Sequence, residues 1–91
     1  MSISARFEID YARFLAPDGT VEQPLPAFAR DRATPERLYR AMVLTRTFDA
    51  RAVALQRTGR LGTYASSLGQ EAVPVGTADA MLPGDVLLPS F

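Results

Sequence analysis

The sequence of 91 residues contains no cysteine, no histidine and no lysine, so all ten of its basic residues are arginines. Without cysteine there is no disulfide, no thiol nucleophile and no cysteine zinc site. Without histidine the commonest general base and metal ligand is missing. Without lysine there is neither a Schiff-base lysine nor a P-loop lysine. If the chain belongs to an enzyme, we therefore expect the catalytic base to come from elsewhere.

The chain also lacks a net charge and a long hydrophobic run. Ten acidic residues balance the ten arginines, which argues against a nucleic-acid partner because binding to a phosphate backbone needs an excess of cationic contacts. No apolar run approaches the roughly 18 residues of a membrane span. The N-terminus has no continuous apolar segment after a basic start, unlike a secretory signal. We expect a soluble, cytoplasmic protein with no nucleic-acid or membrane partner.

Residues 1–33 are interpreted as an N-terminal arm. Phe7, Ile9 and Tyr11 alternate with charged or small residues, which is the period of an extended segment with one covered face. The Pro-Asp-Gly sequence at 17–19 predicts a turn, because proline presets the first turn dihedral and glycine accepts a positive one. A small hairpin or loose arm is expected. Since an isolated hairpin is marginal in water, we expect its apolar residues to lie on another surface.

A long helix is predicted from Pro35 to Thr58. Thr34 is the expected N-cap, and Pro35 suits the first helical position, where its missing N–H costs nothing. Gly59 is expected to end the helix. Apolar residues occupy most of its circumference, which predicts burial on several sides against more chain or another subunit. A small three-helix core wrapped around it is the alternative.

Two charged residues interrupt the apolar side of this helix, Arg46 and Asp49. They are three residues apart and so project in similar directions. A structural ion pair between them is one interpretation, because buried charges persist only when they are paired. The other is that they orient a subunit or a cofactor loop.

Residues 34–91 are expected to form the incomplete opening part of an α/β domain. The stretch 60–69 is rich in glycine and hydroxyl residues, which is typical of a loop between helices and also of loops that contact ligands. A second helix is predicted over 70–82, and the Pro-Gly-Asp sequence at 83–85 should close it. The apolar run at 86–88 predicts a short buried strand.

Several short motifs follow one another in this second part of the chain. They are Arg46-x-Phe48-Asp49, Leu55-Gln56-Arg57-x-Gly59-Arg60, Gly69-Gln70-Glu71-Ala72, Gly76, Asp85 and Pro89. In this order they resemble the opening of the alpha subunit of the thiamine-diphosphate-dependent 2-oxoacid dehydrogenases. The likeness is greatest to the bacterial pyruvate enzymes, whose N-terminal arm is also similar to the arm seen here.

The resemblance implies an α/β thiamine-diphosphate-binding fold for the complete subunit. The present segment would be its mainly α-helical start, with an extended arm, two helices and the beginning of a buried strand. Implied cofactors are thiamine diphosphate and Mg²⁺, and implied partners are a beta subunit in an α2β2 assembly and a lipoyl acyltransferase. The implied reaction is oxidative decarboxylation of pyruvate with acyl transfer to a lipoyl group. The family's Gly-Asp-Gly cofactor motif does not occur in these 91 residues, so we expect this chain alone to be inactive and to hold no cofactor.

The resemblance also carries site residues over to this chain. Thr63, Tyr64 and Ala65 correspond to the segment that lines the substrate entrance, and Phe91 stands where relatives have a tyrosine that touches the cofactor diphosphate. Thr63 replaces a phenylalanine found in many relatives, so this loop leaves the 2-oxoacid open. No residue of the chain is expected to be catalytic or to bind a metal ion.

Two further interpretations stay open. The chain could be a non-enzymatic helical interaction module derived from such a subunit, or part of a branched-chain 2-oxoacid dehydrogenase alpha subunit. The sequence that follows codon 91 would separate the first from an enzyme, and a substrate assay would separate the second.

Overall fold

The computed structural model describes residues 1–89, which are mainly helical. The helices, in chain order, are a 3-10 helix at Ala27–Ala29, α1 at Ala33–Arg57 and α2 at Ala72–Ala80. The chain divides into two compact units, one from Met1 to Arg30 and one that begins at Asp31. No helix in the described range is long and apolar enough to cross a lipid bilayer.

The first unit contains a tight hairpin. Leu15 and Val21 form an isolated antiparallel bridge, and Gly19 has a φ of 88° in the turn between them. Arg13 joins the two arms through two hydrogen bonds of 2.7 Å to the Glu22 carboxylate. The predicted turn and hairpin are therefore confirmed, although the ladder is limited to one bridge.

The residues before the hairpin carry exposed apolar side chains. Residues 1–12 form neither helix nor strand, and Phe7, Ile9 and Tyr11 are exposed. The alternation therefore does not mark a strand within the described chain. The second surface that these side chains were expected to cover stays a prediction.

α1 begins two residues before its predicted start. Asp31 lies at this end, where its Oδ1 accepts the Ala33 N–H at 3.1 Å and its Oδ2 accepts the Thr34 hydroxyl at 3.0 Å. The prediction of Thr34 as N-cap is wrong, because Thr34 is the second residue of α1 and the N-cap position is Arg32, whose side chain makes no capping hydrogen bond. Pro35 remains in the first turn, where a backbone N–H has no helical partner.

α1 ends where Gly59 was expected to stop it. Gly59 has a φ of 75°, and its N–H donates to the Gln56 carbonyl at 3.1 Å. The Arg60 N–H donates to the Leu55 carbonyl at 2.9 Å. These two bonds make a Schellman motif, which satisfies the last helical carbonyls and turns the chain back along the helix.

α1 is less buried than its apolar composition predicted. Asp49 and Ala52 are its only buried residues, whereas Leu44 and Phe48 are 71% and 62% exposed. Burial on several sides is therefore not observed within residues 1–89, because α2 and the connecting loop cover only part of the helix surface.

α2 is shorter than the predicted helix over 70–82. It packs against α1, where Arg37 pairs with Asp79. Pro74 is its third residue, so its missing N–H again falls in the first turn.

The predicted buried strand at Val86–Leu88 is wrong for the described residues. These three side chains are exposed, and the segment has no assigned secondary structure. A strand needs a neighbour to complete its hydrogen bonds, and residues 1–89 supply none. An apolar run shows that a segment can be buried, but the sequence pattern does not show whether a neighbouring element is there to bury it.

Candidate functional site

The loop that follows α1 lies against the helix at two charged residues. Arg46 and Asp49 are three residues apart, so they share one face of α1. The loop runs from Thr58 to Glu71, the residue before α2. Its residues supply every side-chain partner that the structure gives to these two charges.

Asp49 is the centre of the first attachment. Its side chain is buried, with the residue only 3% exposed. It accepts hydrogen bonds from the Tyr64 hydroxyl at 2.9 Å and the Ser66 hydroxyl at 2.7 Å. It also accepts the Ser67 N–H at 2.7 Å and the Ser67 hydroxyl at 3.3 Å. One carboxylate therefore holds three residues of the loop.

These hydrogen bonds keep Asp49 ionised. The Ser66 hydroxyl contributes most to lowering the pKa of the Asp49 carboxyl, and the Ser67 N–H follows, which together outweigh the opposing effect of burial. The same contact raises the pKa of the Tyr64 hydroxyl, because its proton is bound to a carboxylate. Tyr64 is thus held as a neutral donor to a charged acceptor.

Glu71 forms the second attachment. Its carboxylate, 3% exposed, accepts hydrogen bonds from Arg46 Nε at 2.8 Å and Arg46 Nη2 at 3.1 Å. The Gly69 N–H donates to the same carboxylate at 3.3 Å. The bidentate geometry is the strong form of an arginine–carboxylate pair, and it ties the end of the loop to α1.

The Arg46 guanidinium lowers the pKa of the Glu71 carboxyl from an ordinary 4.5 to about 2. The Glu71 carboxylate in turn raises the pKa of Arg46. Because the Arg46 side chain is 59% exposed, solvent screens part of this attraction.

The interpretation of Arg46 and Asp49 as an ion pair with each other is wrong. Each binds a separate part of the loop, since the loop offers a carboxylate to the cation and hydroxyl and N–H donors to the anion. The second interpretation, that the two charges orient a subunit or a cofactor loop, stays a prediction; the contacts show that they hold the loop between α1 and α2. The sequence alone did not identify the partners of these two charges, which are Ser66, Ser67 and Glu71. The signal that could have indicated the two serines is the hydroxyl-rich loop that follows the helix.

The expected substrate-side residues lie on this loop. Tyr64 is half-buried, and its ring packs edge-on against Phe48 with centroids 6.1 Å apart at 69°. Thr63 and Ala65, on either side of it, are exposed. Phe91, the expected cofactor contact, lies outside the described residues.

The described residues by themselves do not fit a bound metal ion. No cluster of three or more acidic, histidine or cysteine residues within 1–89 is arranged to hold a metal ion. Near the loop, Arg46 Nε and Nη2 are engaged by the Glu71 carboxylate.

The family described as Dehydrogenase E1 component matches residues 39–91, more than half of the chain. The chain belongs to this family, and its sequence resemblance to E1 alpha subunits is confirmed. The matched range includes both attachment points, the loop and α2.

Curated relatives include two kinds of alpha subunit. Over 70 residues the chain is 40% identical to the pyruvate dehydrogenase E1 component subunit alpha of Bacillus subtilis, covering 77% of this chain and 18% of the relative. It is 37% identical over 92 residues to the subunit of that name from Bacillus cereus, covering 99% and 24%. It is 36% identical over 88 residues to the 3-methyl-2-oxobutanoate dehydrogenase subunit alpha of Mycobacterium tuberculosis, covering 92% and 23%.

The chain thus spans about a fifth to a quarter of the length of these relatives. No solved structure matches it significantly.

Proposed function

We propose that this chain forms the N-terminal part of the alpha subunit of a 2-oxoacid dehydrogenase, an enzyme that oxidatively decarboxylates its substrate and transfers the acyl group to a lipoyl group. The family match over residues 39–91 carries the proposal. It is supported by the loop after α1, which is fixed to the helix at two points and so presents a defined surface. The proposed role of this segment is structural support for a cofactor site completed elsewhere.

Pyruvate is the proposed substrate, and a branched-chain 2-oxoacid is the second candidate. Similarity to the two Bacillus pyruvate dehydrogenase subunits favours pyruvate. The Mycobacterium subunit named for 3-methyl-2-oxobutanoate is almost as similar, at 36% against 37% and 40% identity.

The rest of the enzyme follows from the proposed family role. Residues 34–91 would open an α/β domain, preceded by the arm at 1–33. Thiamine diphosphate and Mg²⁺ would be held mainly by residues outside the described range and by a beta subunit in an α2β2 assembly, and a lipoyl acyltransferase would receive the acyl group. Thr63, Tyr64 and Ala65 would border the substrate entrance, and Phe91 would lie near the cofactor. We place the enzyme in the cytoplasm.

The test uses the complete alpha subunit, obtained by reading the gene beyond codon 91, together with a beta subunit. Carbon dioxide release from pyruvate and from 3-methyl-2-oxobutanoate is measured with thiamine diphosphate, Mg²⁺ and an artificial electron acceptor. We expect kcat/KM for pyruvate to be higher by about tenfold or more, since each added methylene typically changes discrimination by about 10–200-fold. The reverse preference would establish the branched-chain alternative. A folded complex that turns over neither acid would favour the interaction module.

A further inference from the structure

Asp49 differs from the other charged residues of α1 in what it holds. Two other charged side chains of α1 reach later parts of the described chain, and each does so as an ion pair with one carboxylate, Arg37 with Asp79 and Arg46 with Glu71. Asp49 instead gathers three loop residues through four hydrogen bonds and no cation. Its partners lie in the middle of the loop, whereas Glu71 secures only the end. Loss of Asp49 would therefore free residues 63–67 without detaching α2.

Tyr64 links the buried Asp49 carboxylate to the exposed part of the loop. Its hydroxyl is bound to Asp49 at 2.9 Å, and its ring rests edge-on against Phe48. Two contacts at opposite ends of one side chain leave the ring little freedom. Thr63 and Ala65 are its chain neighbours and are exposed, so fixing Tyr64 restricts the backbone that carries their side chains.

We propose that Asp49 is a positioning residue for the substrate entrance, and that it acts through Tyr64 to hold Thr63 and Ala65 in one arrangement. This inference rests on the proposed function, because the loop borders a substrate entrance only if the chain is part of a 2-oxoacid dehydrogenase. Asp49 itself does not touch the substrate. Its removal raises KM by lowering the fraction of enzyme whose loop is correctly placed, and leaves the bond-breaking step largely unaffected.

The first experiment compares Asp49→Asn, Tyr64→Phe and Asp79→Asn in the complete α2β2 enzyme. Asparagine keeps the size of aspartate but loses the charge and one acceptor oxygen. We expect Asp49→Asn to raise KM for the 2-oxoacid about tenfold, the lower end of what one hydrogen bond to a charged group contributes to an equilibrium. Tyr64→Phe should raise KM by a smaller factor, and kcat should stay within about twofold in both.

Asp79→Asn is the matched control, because it makes the same chemical change in the ion pair that joins α2 to α1 away from the loop. It should lower Tm and leave KM unchanged. An unchanged KM in Asp49→Asn would overturn the proposal, and so would an equal rise in KM in Asp79→Asn, which would indicate general destabilisation. Tyr64→Phe keeps the serine contacts of Asp49, so it remains informative if Asp49→Asn folds poorly.

The second experiment is independent of activity. The Ser67 N–H donates to Asp49 at 2.7 Å, so its hydrogen exchange reports loop order directly. We expect exchange at Ser67 to be about tenfold faster in Asp49→Asn, with exchange in α2 unchanged. Unchanged exchange at Ser67 would overturn the positioning role. If the wild-type enzyme turned over no 2-oxoacid while Asp49→Asn still accelerated exchange, the proposed function would fail and the loop anchor would stand.

Discussion

Arg46 and Asp49 lie one helical turn apart on α1, yet they do not pair with each other, and each binds a different part of the following loop. Arg46 pairs with Glu71, and Asp49 binds Tyr64, Ser66 and Ser67. Opposite charges at this spacing often pair on a helix surface. Here the loop offers each charge its own partner, so the two charges fix the loop at two separate points.

Glu71→Gln should change how stability depends on pH. The pKa of Glu71 is lowered to about 2 from 4.5, so its stabilising effect is complete above about pH 4.5 and is lost as pH falls through about 2. We expect the complete subunit with glutamate to have the higher urea midpoint at neutral pH, and the difference to shrink between those two values. The parent subunit and the Glu71→Gln variant both retain Asp49, so its titration cancels in the difference between their urea midpoints. A difference that stays constant down to pH 2 would contradict this assignment.

A double-mutant cycle should show that Arg46 is coupled to Glu71. Arg46→Met and Glu71→Gln each break the same bidentate pair, so the double variant should lose clearly less stability than the two single variants summed. Urea midpoints of the complete subunit give the comparison. Arg46→Met combined with Asp79→Asn serves as the control and should be additive, because these residues share no partner. Additive effects for Arg46 and Glu71 would show that the pair contributes nothing measurable.

Gly59→Ala and Gly76→Ala should have opposite effects on helicity. Gly59 has a φ of 75°, and nothing lies within 4 Å of an added Cβ, so alanine costs only the backbone strain of about 1 kcal/mol. Gly76 lies inside α2 with equally open surroundings, where alanine favours the helix by up to about 1 kcal/mol. Circular dichroism of the 91-residue chain measures both. Gly62→Ala, at an open position without a positive φ, should change little. A Gly59→Ala chain as helical as the parent would argue against the Schellman ending.

The 91-residue chain alone should self-associate. Tyr39, Leu44 and Phe48 on α1 are 66%, 71% and 62% exposed, and exposed apolar surface of this extent drives association. Leu44→Glu should shift sedimentation towards the monomer. Thr47→Glu adds the same charge at an exposed polar position of the same helix and should shift it less. A monomeric parent chain that melts cooperatively would refute the expectation.

The 91-residue chain alone should not bind thiamine diphosphate and Mg²⁺ measurably. Residues 1–89 hold no cluster of metal-ligating side chains, and diphosphate binding needs a metal ion or converging cationic donors. Calorimetric titration of this chain is the direct test, with the complete α2β2 enzyme as the positive control. Saturable binding at micromolar cofactor by the short chain would show that it carries a cofactor site of its own.

Local signals in the sequence determined the hairpin, both helices and the end of α1. A Pro-Asp-Gly turn, apolar residues at helical spacing and a glycine after the last turn act within a few residues, so they are readable without the fold. The family was also readable, because its motifs are short and ordered along the chain. The start of α1 was misplaced by two residues, since Thr34 is a good capping residue type but lies inside the helix, whose N-cap position is Arg32.

Contacts between distant residues were decided only by the tertiary structure. The sequence showed Arg46 and Asp49 as neighbours on one face but not that Glu71, 25 residues after Arg46, would reach the guanidinium. It showed an apolar run at 86–88 but not the absence of a neighbouring strand among residues 1–89. Helix spacing and capping depend on nearby residues, whereas partner choice and burial depend on which surfaces the folded chain brings together. For that reason the sequence determined which elements form, and the fold decided that two charges on α1 hold the loop.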